Sequence, residues 1–511
     1  MLVTRNCGQT LWEAMLPPQY EQLPAALAAV DALLDDPAFF APYRAHFSEL
    51  SGRPSIPLET YLRMMFLKFR YRLGYESLCA EVADSISWLR FCRIPLGTRV
   101  PHPSTLEKIT SRCGPRVIRA LNEALLARAG KARVLKTDKV RVDSTVVEAN
   151  VAYPTDSGLL AKAIARIAVL TANIHAAGAA SRTKVRDRRR SARARAHQIA
   201  AHLRKRTEEA KGEVLAVTGE LAGLCDKNIA EAKVLLRNAR RYAARQGDAV
   251  PGRLLAAIAD LDTLLGRAAR IVAQTRTRLA GDTPESATRL VSLHDPDARP
   301  IKKGKLSAPV EFGYKGQVGD NAEGIVLDYS VDEGNPADGT LIGPAIKRMK
   351  DLLGRAPRAV TADRGYGEAK VDKELTGLGV TKVVIPRKGK PGAARRELEH
   401  SRSFRKLVKW RTGSEGRISQ LKHRYGWGRT LMDGRAGAET WCGLGVLAHN
   451  TVKISQLIAA RSAAAAAASR PEVPAIVTPA TATTSPAAAA SPPAARATGP
   501  PGRAGTITAV A

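Results

Sequence analysis

The sequence predicts a mixed α/β protein whose sheet-bearing core is interrupted by a long helical insertion and preceded by a helical N-terminal region. Three observations predict it. Short runs rich in β-branched residues occur in two separated blocks, one at 139–147 and the others between 310 and 385. Between the blocks, residues 158–282 are poor in strand formers and carry apolar stripes at helical spacing. Ahead of both, apolar residues recur every three or four positions in segments cut by Gly74 and Pro95.

Taken in order, residues 1–134 form the helical N-terminal region, with Leu23, Leu27, Val30 and Leu34 at helical spacing. A longer helical block runs over 56–94, and Ser104 is the expected N-cap of the helix that follows. Lys68, Arg70, Arg72, Arg90, Arg93 and Arg99 lie between short helices. That pattern suits either a helix-turn-helix-like DNA reader or a helical bundle with a solvated basic face. Lys139-Val140-Arg141-Val142-Asp143-Ser144-Thr145-Val146-Val147 reads as a strand with one carboxylate in its middle. In the insertion, Val214, Val217, Leu221, Leu224, Leu254, Leu255, Ile258, Leu261, Leu264 and Leu265 predict two or more long antiparallel helices. Strands are expected at 289–293, 310–318, 324–331, 358–363 and 380–385, with a hairpin at 319–322. Helices are expected at 341–353, 366–378, 404–424 and 439–460, and a basic loop at 388–396. The resulting domains are 1–134; 135–157 with 283–458; the insertion 158–282; and an Ala/Pro-rich tail, 459–511, expected to be disordered.

The 511 residues suffice for several cores. A formal charge of +32, from 80 Lys and Arg against 48 Asp and Glu, points to a polyanionic partner, nucleic acid before a membrane surface. Residues 181–210 alone hold eleven Lys and Arg against three acids. There is no run of 18 or more apolar residues and no charged-then-apolar leader pattern, so a cytoplasmic, nucleoid-associated protein is expected. Cys7, Cys79, Cys92, Cys113, Cys225 and Cys442 lack the paired spacing of a zinc site and read as reduced structural thiols.

A carboxylate on a central strand is costly unless something positive holds it. Asp143 is in that position, and Asp363 closes the short strand 358–363 where a Gly opens the following turn. Two such acids joined by a third can hold a pair of divalent cations; all-oxygen ligands suit Mg²⁺, with Mn²⁺ as a substitute. Glu399 and Glu415 compete for the third place. Glu415 is preferred because Arg411, four residues before it, and Lys422, seven after, share its face if 404–424 is one helix. Those two cations suit DNA phosphates.

Val142-Asp143-Ser144-Thr145, Ala362-Asp363-Arg364-Gly365-Tyr366 and Arg411-x3-Glu415-x6-Lys422 resemble the three blocks of the DDE transposases of bacterial insertion sequences. The last block is similar to their Y-x2-R-x3-E-x6-K signature, except that Val408 stands in place of the tyrosine. The resemblance implies an RNase H-like catalytic core behind a helical DNA-binding domain. It implies metal-dependent cleavage at the element's ends and strand transfer into target DNA, with Asp143, Asp363 and Glu415 as catalytic metal ligands. Arg411, Lys422, Arg364, His423 and Arg424 would contact DNA, the partners being terminal inverted repeats and target duplex, held by a homo-oligomer. Two other readings share these residues: a DNA-binding protein with a relic nuclease site, and an RNase H-like nuclease that does not join strands.

Overall fold

The computed structural model describes residues 1–5, 15–17, 22–48, 51–205, 207–302 and 309–468. Met1–Ser462 form one unit; of a second, Ala463–Ala511, only the helical residues 463–468 are described. The N-terminal helices are α1 (Ala25–Leu34), α2 (Leu58–Tyr71), α3 (Tyr75–Asp84), α4 (Ile86–Phe91) and α5 (Pro103–Lys131). After β1 (Lys139–Glu148) come α6 (Asp156–Ala176), α7 (Arg189–His202), α8 (Glu208–Gln246) and α9 (Gly252–Leu279). The sheet resumes with β2 (Arg299–Lys302), β3 (Val310–Asp320) and β4 (Val326–Glu333), then α10 (Asp338–Leu353), β5 (Ala359–Thr361), α11 (Ala369–Gly377) and β6 (Lys382–Val384). Four helices close the chain: α12 (Ala393–His400), α13 (Arg402–Arg411), α14 (Gly413–Arg424) and α15 (Gly434–Ala468).

Strand β1 is the axis of a mixed sheet. On one edge it pairs antiparallel with β3, from Arg141↔Asp320 to Glu148↔Gly313. On the other it pairs parallel with β5 over three residues, Lys139↔Ala359 to Arg141↔Thr361, and β5 pairs parallel with β6. The far edge of β3 is shared by β4 along 314–320 and β2 along 310–313. Because alternate residues of a strand face opposite sides, β1 serves two layers. Val140 and Val142 approach Met349 of α10 on one side, and Val147 meets Trp427 on the other. Trp427 is wholly buried, its indole donating to Cys442 O at 3.0 Å, so it is a core residue.

The hydrophobic core around this sheet is continuous with the N-terminal helices. Arg119 of α5 bonds Asp328, Tyr329 O and Glu439, tying that helix to β4 and α15. Lys68, a candidate DNA contact by sequence, is instead buried. Its ammonium caps α2 by donating to Leu73 O at 2.8 Å and lies 4.2 Å from the Tyr75 ring centroid. The insertion has its own core, four helices deep, built from Leu160, Ile164, Ile167, Leu221, Leu235, Leu261 and their neighbours. Helix α6 is long and apolar enough to cross a membrane, but its apolar side packs into that bundle.

Several expectations are corrected. Residues 289–293 are not a strand; Leu290 is held by Gln274, whose side-chain amide accepts from its N–H and donates to its C=O, so no ladder partner is needed. The strand that follows the insertion is β2, Arg299–Lys302, instead. The basic loop expected over 388–396 gives way to α12 from Ala393. Helix α15 continues through 459–468, where the tail was expected to begin; the rest of the tail, with Cys7, lies outside the described residues.

The expected single helix over 404–424 is divided at Thr412. A Cβ at Gly413 would collide with the Arg141 guanidinium, and Thr412 Oγ1 bonds back to Lys409 O. The cause is an ionic clamp beneath the joint. Arg141 grips Asp320 through two 2.8 Å hydrogen bonds and donates to Trp410 O at 3.1 Å, while Arg417 reaches Asp320 Oδ2 at 3.2 Å. Asp320 is 1 % exposed. Replacing it with Ala strands two buried guanidinium groups, which costs about 3–5 kcal/mol. Asp320→Ala should therefore lower the thermal midpoint sharply. Arg240→Ala, which breaks a surface pair with both partners about half exposed, should move it little, by under about 1 kcal/mol.

Candidate active site

The register of β1 and β5 places the two strand carboxylates. Arg141 pairs with Thr361, and Asp143 and Asp363 each stand two residues further along two parallel, adjacent strands. Neighbouring strands are about 4.8 Å apart, so the two side chains face the same space. Asp143 feels the charge of Asp363 directly. Burial raises the Asp143 pKa most and Asp363 adds to it; the Ser414 hydroxyl, the Ser144 N–H and Arg411 pull it back without cancelling the rise.

Helix α14 and the end of α13 supply the rest of the Asp143 surroundings. Ser414 Oγ donates to Asp143 Oδ2 at 2.7 Å, and Arg411 Nη1 lies 3.5 Å from the same oxygen. Asp363 Oδ1 accepts the Gly365 N–H at 2.8 Å, which caps the turn Arg364–Tyr366. A Cβ at Gly365 would sit 2.9 Å from Asp363 Oδ1 and 3.1 Å from Asp338 Oδ2, so any side chain there would displace the carboxylates, and Asp338 flanks the site. Asp338 Oδ1 accepts from Ser144 Oγ and from Lys315 Nζ, each at 2.8 Å. Behind them Gln317 donates to the Tyr366 hydroxyl at 3.2 Å.

The sequence-chosen residues divide into two groups. Asp143, Asp363 and Arg411 are brought together. Glu415 follows Ser414 directly in the first turn of α14, which puts its Cα within roughly 9 Å of Asp143 Oδ2, but its side chain is exposed. Arg411 belongs to α13 rather than to the helix that carries Glu415, so the shared-face argument fails at the Thr412 joint, although Arg411 still points at Asp143. Lys422 is half-buried near the far end of α14, followed by exposed His423 and Arg424. The Arg364 guanidinium donates to Arg387 O and Gly389 O and braces the 387–389 segment. Glu399 is fully engaged elsewhere, accepting from the Arg387 N–H at 2.8 Å and from Arg395 Nε at 2.9 Å. Burial works against ionisation of Glu399, but those two donors outweigh it and hold its pKa below the usual range.

Sequence reasoning missed Ser414, Asp338, Ser144 and Lys315. Ser414 was legible in principle, as a short hydroxyl beside the chosen acid; Asp338 carries no local signal beyond an acid opening a helix.

The donor set suits a hard cation in part. Two carboxylates with all-oxygen chemistry face one another; burial raises the Asp143 pKa most and Asp363 adds to the rise, while Arg411 at 3.5 Å offsets it only in part. Among the described residues no group of three or more His, Cys, Asp or Glu is gathered tightly enough to hold a metal ion. The carboxylate pair is assembled, and the third acid stands beside it.

Residues 14–112 match the family described as Transposase domain (DUF772), and residues 283–451 match the family described as Transposase DDE domain. Together they span more than half of the chain. The insertion lies in neither, and β1 with Asp143 precedes the second match. No curated protein and no solved structure matches the chain.

The Asp143 surroundings set a pH dependence. With Asp143 as a ligand, a divalent ion would bind only the ionised carboxylate, and metal-supported activity would fall as pH drops through its raised pKa, above the usual aspartate range. Ser414→Ala removes a hydrogen bond that favours the ionised form, so the acid limb of the pH–rate profile should move up by on the order of one unit. An unmoved limb would show that Ser414 does not tune Asp143.

Proposed function

Because the chain belongs to the DDE transposases of insertion elements, enzymes that cleave DNA and transfer strands, we propose that Asp143, Asp363 and Glu415 are its catalytic acids and Mg²⁺ its working ion. The observation that carries the assignment is the parallel ladder that sets Asp143 and Asp363 each two residues beyond its last pair, side by side on adjacent strands. The strand order β4-β3-β1-β5-β6, antiparallel over the first three and parallel over the last, supports an RNase H-like reading of the core. Family membership carries the dependence on a divalent metal; the oxygen-only donors favour Mg²⁺, with Mn²⁺ as its replacement.

Bound between these acids, divalent cations would supply Lewis acidity at a phosphodiester. Asp143 and Asp363 hold them, and Glu415, one residue from Ser414, is the acid placed to complete the set. Ser414 orients Asp143 by donating to Oδ2. Asp338, paired with Lys315, fixes the Ser144 hydroxyl beside Asp143. Arg411 and Lys422 hold phosphate oxygens of the DNA, with His423 and Arg424 beyond them on the exposed end of α14 and Arg364 at the rim. The N-terminal region 1–134 reads element ends, residues 135–157 and 283–458 carry the chemistry, and 158–282 is an added helical body. The substrates are terminal inverted repeats and a target duplex, which place the enzyme in the cytoplasm at the nucleoid. A homo-oligomer follows from the need to hold two ends at once.

Asp143→Asn, Asp363→Asn and Glu415→Gln, assayed on duplexes carrying the element's ends with Mg²⁺, should each lose cleavage and strand transfer by at least about a hundredfold while still binding DNA. Asp143→Asn should also hold or raise the thermal midpoint at neutral pH. The raised folded-state pKa means that ionised Asp143 costs stability above its unfolded pKa, and the amide removes that cost. Glu415→Gln at parental activity would sink the third assignment, and normal cleavage by either aspartate variant would sink the site. Cleavage without joining by the parent would reduce the enzyme to a nuclease.

A further inference from the structure

The two halves of the inserted bundle carry equal positive charge but very unequal negative charge. Residues 156–205 hold twelve Lys and Arg with two acids, Asp156 and Asp187; residues 207–280 hold twelve with nine acids. Helix α7 separates its own cations by side. Arg188 and Arg195 turn toward α8 and pair with Glu231 and Glu220. Arg193 lies on the opposite side, exposed, where it meets Lys162 of α6 across a groove of about 480 Å³. Ala161, Ala165, Ala196 and Ala200 floor that groove, while Lys162, Arg189, Arg193 and His197 rim it. Arg189 shares its charge with Asp187. Among the described residues no carboxylate forms an ion pair with Lys162 or Arg193.

We propose that the α6–α7 groove is a second DNA-binding surface, which grips the phosphate backbone of a duplex outside the carboxylate site. The inference rests on the transposase reading for its choice of polyanion. Small floor residues let a backbone approach closely, and cations at the rim meet it from both sides. From Arg189 to Ala200 the groove edge runs about 16 Å, on the order of five base-pair steps. Since the rim offers charge and no array of base-reading side chains, binding is indifferent to sequence and strongly salt-dependent. The groove lies in the segment that neither family match covers, so it is a property of this chain rather than of the matched domains.

The test uses the full chain in EDTA, so that no cleavage intervenes, and a fluorescent 30-base-pair duplex of arbitrary sequence. Lys162→Ala with Arg193→Ala should weaken binding roughly tenfold and lower the log–log salt slope by about two, a decrement of ~0.9 for each phosphate no longer neutralised. Arg193→Glu alone should weaken it further than Arg193→Ala. Both residues are exposed, so the thermal midpoint should stay at the parental value. Arg241→Ala with Arg245→Ala, on the acid-rich half, should change binding less than twofold. Parental affinity and slope in the groove variant would overturn the proposal, as would an equal loss in the α8 control. Loss of poly-glutamate binding with duplex binding intact would overturn it in favour of an acidic protein partner. If the parent cleaves element ends while the groove variant binds duplex normally, the inference falls and the function stands; a parent that neither binds nor cleaves duplex takes the function down as well.

Discussion

Two carboxylates that repel one another are held side by side by backbone register, and the rest of the molecule is arranged around that fact. The parallel ladder between β1 and β5 lasts only three residues, and each strand places an aspartate two positions beyond its last pair. No side-chain attraction brings Asp143 and Asp363 together; the ladder does, against their charge. The cost is visible in the raised Asp143 pKa, which burial and Asp363 both drive up. Burial is the larger cause and the Asp363 charge adds to it, so a cation brought to that position would be favoured.

The neighbouring clamp decides what reaches the pair. Arg141 lies on the same side of β1 as Asp143, and its grip on Asp320 and Trp410 O holds the α13–α14 joint directly over the site. Helical text expected to run unbroken from 404 to 424 is divided at Thr412, where the Arg141 guanidinium fills the space beside Gly413. That break directs Arg411 and Ser414 at Asp143 and leaves Glu415 in the first turn of α14, where the helix N-terminus favours a negative charge.

Away from the site, the chain divides its charges by location. In the N-terminal region two cations go inward, where Arg63 bonds Asp31 and Asp35 and Lys68 ends α2, while Arg72, Arg93 and Arg99 stay exposed. In the insertion, acids on α8 absorb the inward arginines of α7 and leave the outer side positive. A net charge of +32 is thus not a uniform coat. Its unopposed part is gathered on exposed faces, consistent with an enzyme that handles DNA.

By itself the sequence determined the local matters. Alternating valines made β1, breakers separated the N-terminal helices, and the order of blocks announced a sheet split by a helical body, although His102 and not the expected Ser104 caps the helix from Pro103. Asp143 and Asp363, which the ladder sets side by side, were legible as candidate acids in motif text, whereas Glu415 was chosen on a shared helix face that the Thr412 joint divides. What lay between distant residues was decided by tertiary structure. Leu290 reads as strand but takes its hydrogen bonds from Gln274, sixteen residues away. A helix breaks over an arginine that lies 272 positions earlier than Gly413, and Ser414 and Asp338 gain their roles only where separate elements meet. Hydrogen bonds and charge pairs act over a few ångströms of space, and separation along the chain does not record which ångströms those are.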